Sequence, residues 1–133
     1  MALVTKASDA SMDTTSIQRC PQIPSLTAGE ALDVLAPCCL KSDGLVYMSN
    51  GTAADAAAKI DGITPRAYAS GDTNVTLHGK GARFRYAASG LTPGAVYFMG
   101  ATAGRFDTAA TTGDAVGIAK AVSATDLRLI RDY

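Results

Sequence analysis

From Ile23 onward the chain alternates apolar and polar positions over short stretches, with words of Gly, Asp, Ser, Thr, Asn and Pro between them. In Asn74 to His78, Val75 and Leu77 face one way while Asn74, Thr76 and His78 face the other. In Ala82 to Ala87 the same period sets Arg83 and Arg85 opposite Phe84 and Tyr86. Successive side chains leave a strand on opposite sides, so this pattern predicts strands with one buried face. It also predicts strands near Ile23, over Glu30 to Leu35, from Cys38 to Lys41 and over 45–49. Further ones are expected around Ile63 to Tyr68 with an interruption at Pro65, over Ala95 to Ala101, through Phe106, over Ala115 to Ala121 and over Asp126 to Ile130. Gly29 is expected to give the turn before Glu30 its permissive backbone, and a competing helix from Ala28 to Leu35 would be cut short by Pro37. Strands spaced by about 8 to 12 residues with turn words between them predict a mainly β fold, a compact β-sandwich or small β-barrel.

Two stretches depart from that period. Residues 52–60, TAADAAAKI, predict one short α-helix: Thr52 can cap it, Asp55 and Lys59 are four residues apart, and the alanines favour it. Residues 1–22 are rich in Ser, Thr, Ala and Asp without a sustained period and predict a flexible N-terminal arm ahead of a single β domain over 23–133.

The length of 133 residues suits one domain with a real core. With Phe numbering 3 and Trp 0, that core has to come from Val, Ile, Leu and the Tyr rings, with Ala and Gly where backbones approach closely. Twelve basic and twelve acidic residues cancel and are interspersed, which argues against a nucleic-acid or anionic-membrane surface. No apolar run approaches the length of a membrane span, and the N-terminus lacks the apolar stretch of a signal peptide. Cys20, Cys38 and Cys39 do not resemble a disulfide framework and are expected to be reduced.

Candidate chemistry is sparse. His78 is the single histidine, so a zinc or iron site would need Cys and Asp alone, and Cys38 and Cys39 point to opposite faces of a strand. A Cys38 or Cys39 nucleophile with His78 as base is conceivable across a sheet, but no spacing demands it. There is no G-x-S-x-G, and GKGAR (79–83) lacks the spacer and the Ser or Thr of a phosphate loop. RFRYA interleaves cations with aromatics as a single-strand nucleic-acid surface would, yet without a wider positive field it reads as a sheet with one wet and one packed face. Glu30 is the lone glutamate, and the aspartates fall in turns or at element ends, where they have structural work. The expectation is a non-enzymatic protein with no cofactor, metal or small-molecule substrate.

LTAGEALDV (26–34) and the block SGLTPGAVYFMGATAGRFDTAATTGDAVGIAKAVSATDLRLI (89–130) resemble the decoration, or cement, proteins that stabilise tailed-phage capsids. The shared grammar is Thr92-Pro93-Gly94 before Ala95 to Met99, then Gly104 to Thr108, then Gly113 to Ala119, and closing apolar positions Leu127, Leu129 and Ile130. The resemblance implies a tulip-like β domain made in the host cytoplasm and attached to the outer surface of the virion. It implies a homotrimer at threefold or quasi-threefold positions, with the major capsid protein as partner and an arm that orders by adding to a capsid-protein sheet edge. Capsid contacts are expected from Leu3, Val4, Ile17, Ile23 and Pro24, and subunit contacts from Tyr68, Arg83, Arg85 and Tyr97. Two other readings stay open: a different phage part (head fibre, spike or tail component), and a ligand-binding β-barrel.

Overall fold

Short strands can bury an apolar face by packing on a second sheet or by curling on themselves, and this chain does both. The structure is a computed structural model that describes residues 3–12, 20–52 and 58–131. β1 (Ser11–Met12) belongs to an open sheet. The next five strands, β2 (Gln22–Ala28), β3 (Pro37–Leu40), β4 (Leu45–Met48), β5 (Gly62–Ile63) and β6 (Val75–His78), close a barrel in the order β2-β4-β3-β5-β6.

The barrel is built around the hairpin of β3 and β4, with Cys38 opposite Met48, Cys39 opposite Tyr47 and Leu40 opposite Val46. Its turn needs Gly44, whose φ of 82° lies in the left-handed region, and the Asp43 carboxylate accepts the Leu45 N–H at 2.9 Å. β2 runs parallel to β4 and antiparallel to β6, with a register shift between Ile23 and Leu26 where Ser25 takes a φ of 62°. Ala28, Leu32, Cys38, Val46, Tyr68, Val75 and Leu77 are buried together inside. A five-stranded barrel is narrow, and these side chains fill it.

Two details of the sequence reading change here. Gly29 has no left-handed φ; a Cβ there would run into the Tyr47 ring, so the glycine serves a close approach. The strand expected over Glu30 to Leu35 is also absent, because β2 occupies the preceding residues and the chain then turns. Leu32 alone pairs, in a bridge to Tyr68, while Leu35 adopts a φ of 51°. The apolar positions of this stretch serve two cores instead of one strand face: Leu32 enters the barrel and Leu35 the larger cluster beyond it.

That larger cluster lies under an antiparallel sheet of β1, β7 (Arg83–Arg85), β8 (Val96–Met99), β9 (Phe106–Asp107), β10 (Ala119–Ala121) and β11 (Asp126–Leu129), ordered β1-β7-β11-β10-β8-β9. Its inner face supplies Phe84, Tyr97, Met99, Phe106, Ala119, Ala121, Leu127 and Leu129, and Leu35, Ile60 and Ile63 join them from the barrel side. The Tyr86 and Phe106 rings meet edge to face with centroids 4.9 Å apart, and Phe84 stands 6.2 Å from Tyr86 and 5.8 Å from Phe106.

Residues 3–12, read from the sequence as part of a free arm, lie along this sheet. The Val4 N–H donates to the Phe106 carbonyl at 3.0 Å and the Ala7 N–H to the Tyr86 carbonyl at 2.7 Å, while Ser11 pairs with Arg85. Val4 is buried in the core, and Lys6 anchors to Asp33 at 2.8 Å and to the Val34 carbonyl at 2.7 Å. A polar, aperiodic segment is held here by backbone bonds and one apolar residue, which no period in the sequence reveals.

The mainly β architecture is as the alternation predicts. The helix expected over 52–60 falls largely on residues 53–57, outside the described residues, and no such helix is seen around them: Gly51 and Thr52 form a turn, and Lys59 and Ile60 are irregular. Because the three rings carry so much of the core volume, Phe106→Ala is expected to cost about 3–5 kcal/mol of unfolding free energy in a urea titration.

Candidate functional site

One thiol and the imidazole meet. Pairing of β2 with β6 sets Gln22 opposite His78, and the Gly79 N–H donates to the Pro21 carbonyl at 2.8 Å, which brings Cys20 Sγ to 3.7 Å from His78 Nδ1. The base therefore meets Cys20, not Cys38 or Cys39, which line the β3 side of the barrel. Both partners are shielded, with Cys20 8% and His78 5% exposed. Burial pushes the Cys20 thiol above its ordinary range and the His78 imidazole below its own. A cysteine nucleophile needs the thiolate, and this environment favours the neutral thiol beside a neutral ring. The contact is a buried S–H and imidazole pair that satisfies two polar groups.

The most connected polar group is Asp114, which is fully enclosed. Its Oδ2 accepts the Met99 N–H at 2.8 Å, and its Oδ1 accepts the Gly117 N–H at 2.8 Å and faces Arg131 at 3.2 Å. The carboxylate thus substitutes for ladder bonds where the chain between β9 and β10 is irregular. Nearby, Arg105 donates to the Tyr86 hydroxyl at 3.2 Å and to the Val4 carbonyl at 3.0 Å, which ties the N-terminal segment down. These are structural assignments, since each charge faces partners inside the fold. Among the described residues no group of three His, Cys, Asp or Glu side chains could hold a metal ion.

A shallow cleft of about 180 Å³ opens between Val4, Leu91, Tyr97 and Thr108. It is smaller than the several hundred Å³ typical of small-molecule sites and gathers no charged side chain. What the fold presents outward is surface. On β2, Ile23 is 36% exposed and Pro24 is exposed beside it, whereas Leu3 lies at the surface in a bridge to Asp107 and Val4 is buried. Ile17 lies outside the described residues.

The four residues expected at a subunit interface divide in two. Tyr68 and Tyr97 are each 5% exposed core residues. Their hydroxyls accept backbone N–H groups, Tyr68 from Thr76 at 3.3 Å and Tyr97 from Thr92 at 3.0 Å, which is how a ring with a polar tip becomes buriable. Arg83 and Arg85 stand on the outer sheet face, paired with Asp126 at 2.9 Å and with Asp9 respectively. Burial works to raise the Asp126 carboxyl, but the Thr125 hydroxyl and Arg83 outweigh it and hold it below the usual range. The same face carries Lys120, Arg128, Val96 and Val122, which the sequence reading passed over. The alternation of AKA and DLRL held the signal for the two cations: a charged residue between buried ones on each strand.

No family model matches this sequence, and no curated protein or solved structure is significantly similar to it.

Two outcomes follow from the buried polar groups. Asp114→Ala removes the carboxylate partner of the buried Arg131 guanidinium and strands three backbone donors, and is expected to cost about 3–5 kcal/mol in denaturant unfolding. His78 has a lowered folded pKa, so the unfolded chain binds the proton more readily; its contribution is intact above the ordinary value of 6.5 and is lost as pH falls below it. Thermal scans at stepwise lower pH from 7.5 should therefore show a falling Tm, and His78→Gln should flatten that decline across the imidazole window.

Proposed function

We propose that the protein is a virion structural component that binds the outer surface of an expanded phage capsid and stabilises contacts between major capsid protein subunits. One observation carries the reading. Every carboxylate among the described residues accepts at least one hydrogen bond inside the chain: Asp9, Glu30, Asp33, Asp43, Asp61, Asp72, Asp107, Asp114 and Asp126. The described carboxylates are thus engaged within the chain, even where Asp9, Asp33 and Asp43 are exposed, while Ile23, Val96, Val116, Val122, Lys120 and Arg128 face solvent. That allocation suits a protein that works by contact, and the likeness of residues 89–130 to capsid decoration proteins supplies the kind of contact.

The exposed first half of β2 is where a partner strand would add. β6 lies along one side of it, and on the other side β4 pairs only at Thr27 and Ala28. Ile23 and Pro24 project from this stretch, and Pro24 together with the left-handed Ser25 limits pairing to a partner that tolerates a missing N–H and a bend. In this reading the protein assembles as a homotrimer on the shell. The ligand-binding barrel is disfavoured by an interior filled with side chains. A head fibre, spike or tail part shares the architecture, and an extended fibrous oligomer would favour it.

The test is to mix the purified protein with expanded, undecorated heads of the phage that encodes it and to image them, with light scattering on the free protein. Ordered protrusions at local symmetry axes are expected, with occupancy reduced about tenfold or more by Ile23→Asp, which sets a charge on an apolar contact. Bare heads at saturating protein would overturn the reading.

A further inference from the structure

Cross-strand register places three cations side by side on the outer face of the six-stranded sheet. Arg83 on β7 is opposite Arg128 on β11, and Arg128 is opposite Lys120 on β10. All three are exposed. Residues so paired share a face with Cβ atoms about 4.5–5.5 Å apart, and like charges directly opposite destabilise a sheet. In the adjacent row the charges are compensated, since Arg85 is opposite Asp126 and also pairs with Asp9. Asp126 reaches diagonally to Arg83. The Arg128 and Lys120 side chains make no ion pair or hydrogen bond with any described residue, so no described carboxylate compensates the centre of the row.

The row continues into apolar surface. Lys120 is opposite Val96 on β8, and Val122, 40% exposed, follows Lys120 on the same face. Val116, 70% exposed, precedes Gly117, whose position admits no Cβ because Val96 Cγ1 occupies that space. Cations beside exposed apolar residues make a mixed surface of the kind that protein interfaces use, where a core of apolar contact is ringed by charge that sets orientation.

We infer that this face is a docking surface for an acidic face of another protein, centred on Arg83, Arg128 and Lys120 and flanked by Val96 and Val122. The inference rests on the reading above that the protein works by attachment, and it names the chemistry of the partner. Charge complementarity selects that occupant. A second copy of this chain is a poorer source of counter-charge, because its exposed described carboxylates Asp9, Asp33 and Asp43 are already engaged by Arg85, Lys6 and the Tyr47 hydroxyl within its own fold. A nucleic acid is disfavoured as well: Asp9 and Asp126 interrupt the adjacent row, and the valines offer a phosphate backbone nothing. A partner with two or three carboxylates spaced at about the 4.8 Å strand interval would remove the repulsion in the row.

The experiment uses the full-length chain and the double variant Lys120→Glu/Arg128→Glu, with Lys59→Glu as a charge-reversal control on an exposed lysine elsewhere. Both variants are first checked by thermal melting. The double variant is expected to melt near or above the parent temperature, because it turns the contact between positions 83 and 128 attractive and leaves the contact between positions 120 and 128 like-charged as before; a large drop would mean that the row stabilises the fold and would overturn its assignment as uncompensated. Binding is then read on expanded heads, on immobilised poly-L-glutamate and on a single-stranded oligonucleotide. Expected are head and poly-L-glutamate binding by the parent and by Lys59→Glu, weakened by added salt, and a loss of about tenfold or more in the double variant. Head binding unchanged in the double variant sinks the docking face while leaving attachment to capsids standing. A parent that ignores heads but binds poly-L-glutamate through these two residues retires the capsid reading and keeps the face. Tighter binding to the oligonucleotide, or self-association of the parent that the double variant abolishes, overturns the acidic-protein assignment in favour of nucleic acid or of a second copy.

Discussion

The contact of the Tyr86 and Phe106 rings constrains most of the architecture. Tyr86 follows β7 and Phe106 begins β9, strands that stand second and last in the order of the six-stranded sheet, yet their ring centroids are 4.9 Å apart. A flat sheet would hold them several strand widths from each other, so the sheet has to curl until its far strands face across the interior. With 3 phenylalanines and no tryptophan in the chain, few side chains could fill that hollow without such a meeting. The curl leaves a gap between the end strands, and residues 3–12 bridge it: Val4 and Ala7 bond the carbonyls of Phe106 and Tyr86, whose rings meet inside. Ring packing and the backbone bridge are therefore two sides of one closure.

Polar chemistry is distributed to match. Irregular stretches between strands leave backbone N–H groups without ladder partners, and carboxylates take that place, as Asp114 does for Met99 and Gly117 and Glu30 does for Met48 at 2.9 Å. The chain has formal charge zero, but its two signs are not equivalent. Each described acid accepts a hydrogen bond within the fold, whereas the Lys120 and Arg128 side chains stand on a sheet face without a described partner. A balanced count of charges thus coexists with one sheet face whose uncompensated charge, among the described residues, is positive.

Legibility in the sequence followed how local the cause was. The strands of RFRYA and VTLH were readable because their period is enforced by one buried face. β2 was readable only as a start near Ile23, since its bulge at Ser25 breaks the period and its exposed first half gives no apolar face. The run Glu30 to Leu35 misled because its leucines serve different cores. Tyr68 and Tyr97 looked like surface aromatics until their hydroxyls found backbone donors, a circumstance fixed by tertiary structure. Arg83 and Arg85 were found from alternation, but their neighbours Lys120 and Arg128 become a row only through strand order, which no local pattern contains. The meeting of Cys20 with His78, 58 residues apart, is of the same kind.

All three thiols of the described chain are enclosed, and burial drives the Cys38 group far above the ordinary thiol range, with Cys39 beside it and Glu30 adding to the effect. Oxidants attack thiolates that they can reach, and these buried sulfurs offer no access in the folded protein. Their lifetime in an oxidising medium is then governed by how often the barrel opens, a property of its fold stability. A protein built this way can leave a reducing interior for the open environment without disulfides to form and without thiols to lose, and its durability there becomes a matter of mechanics instead of redox chemistry.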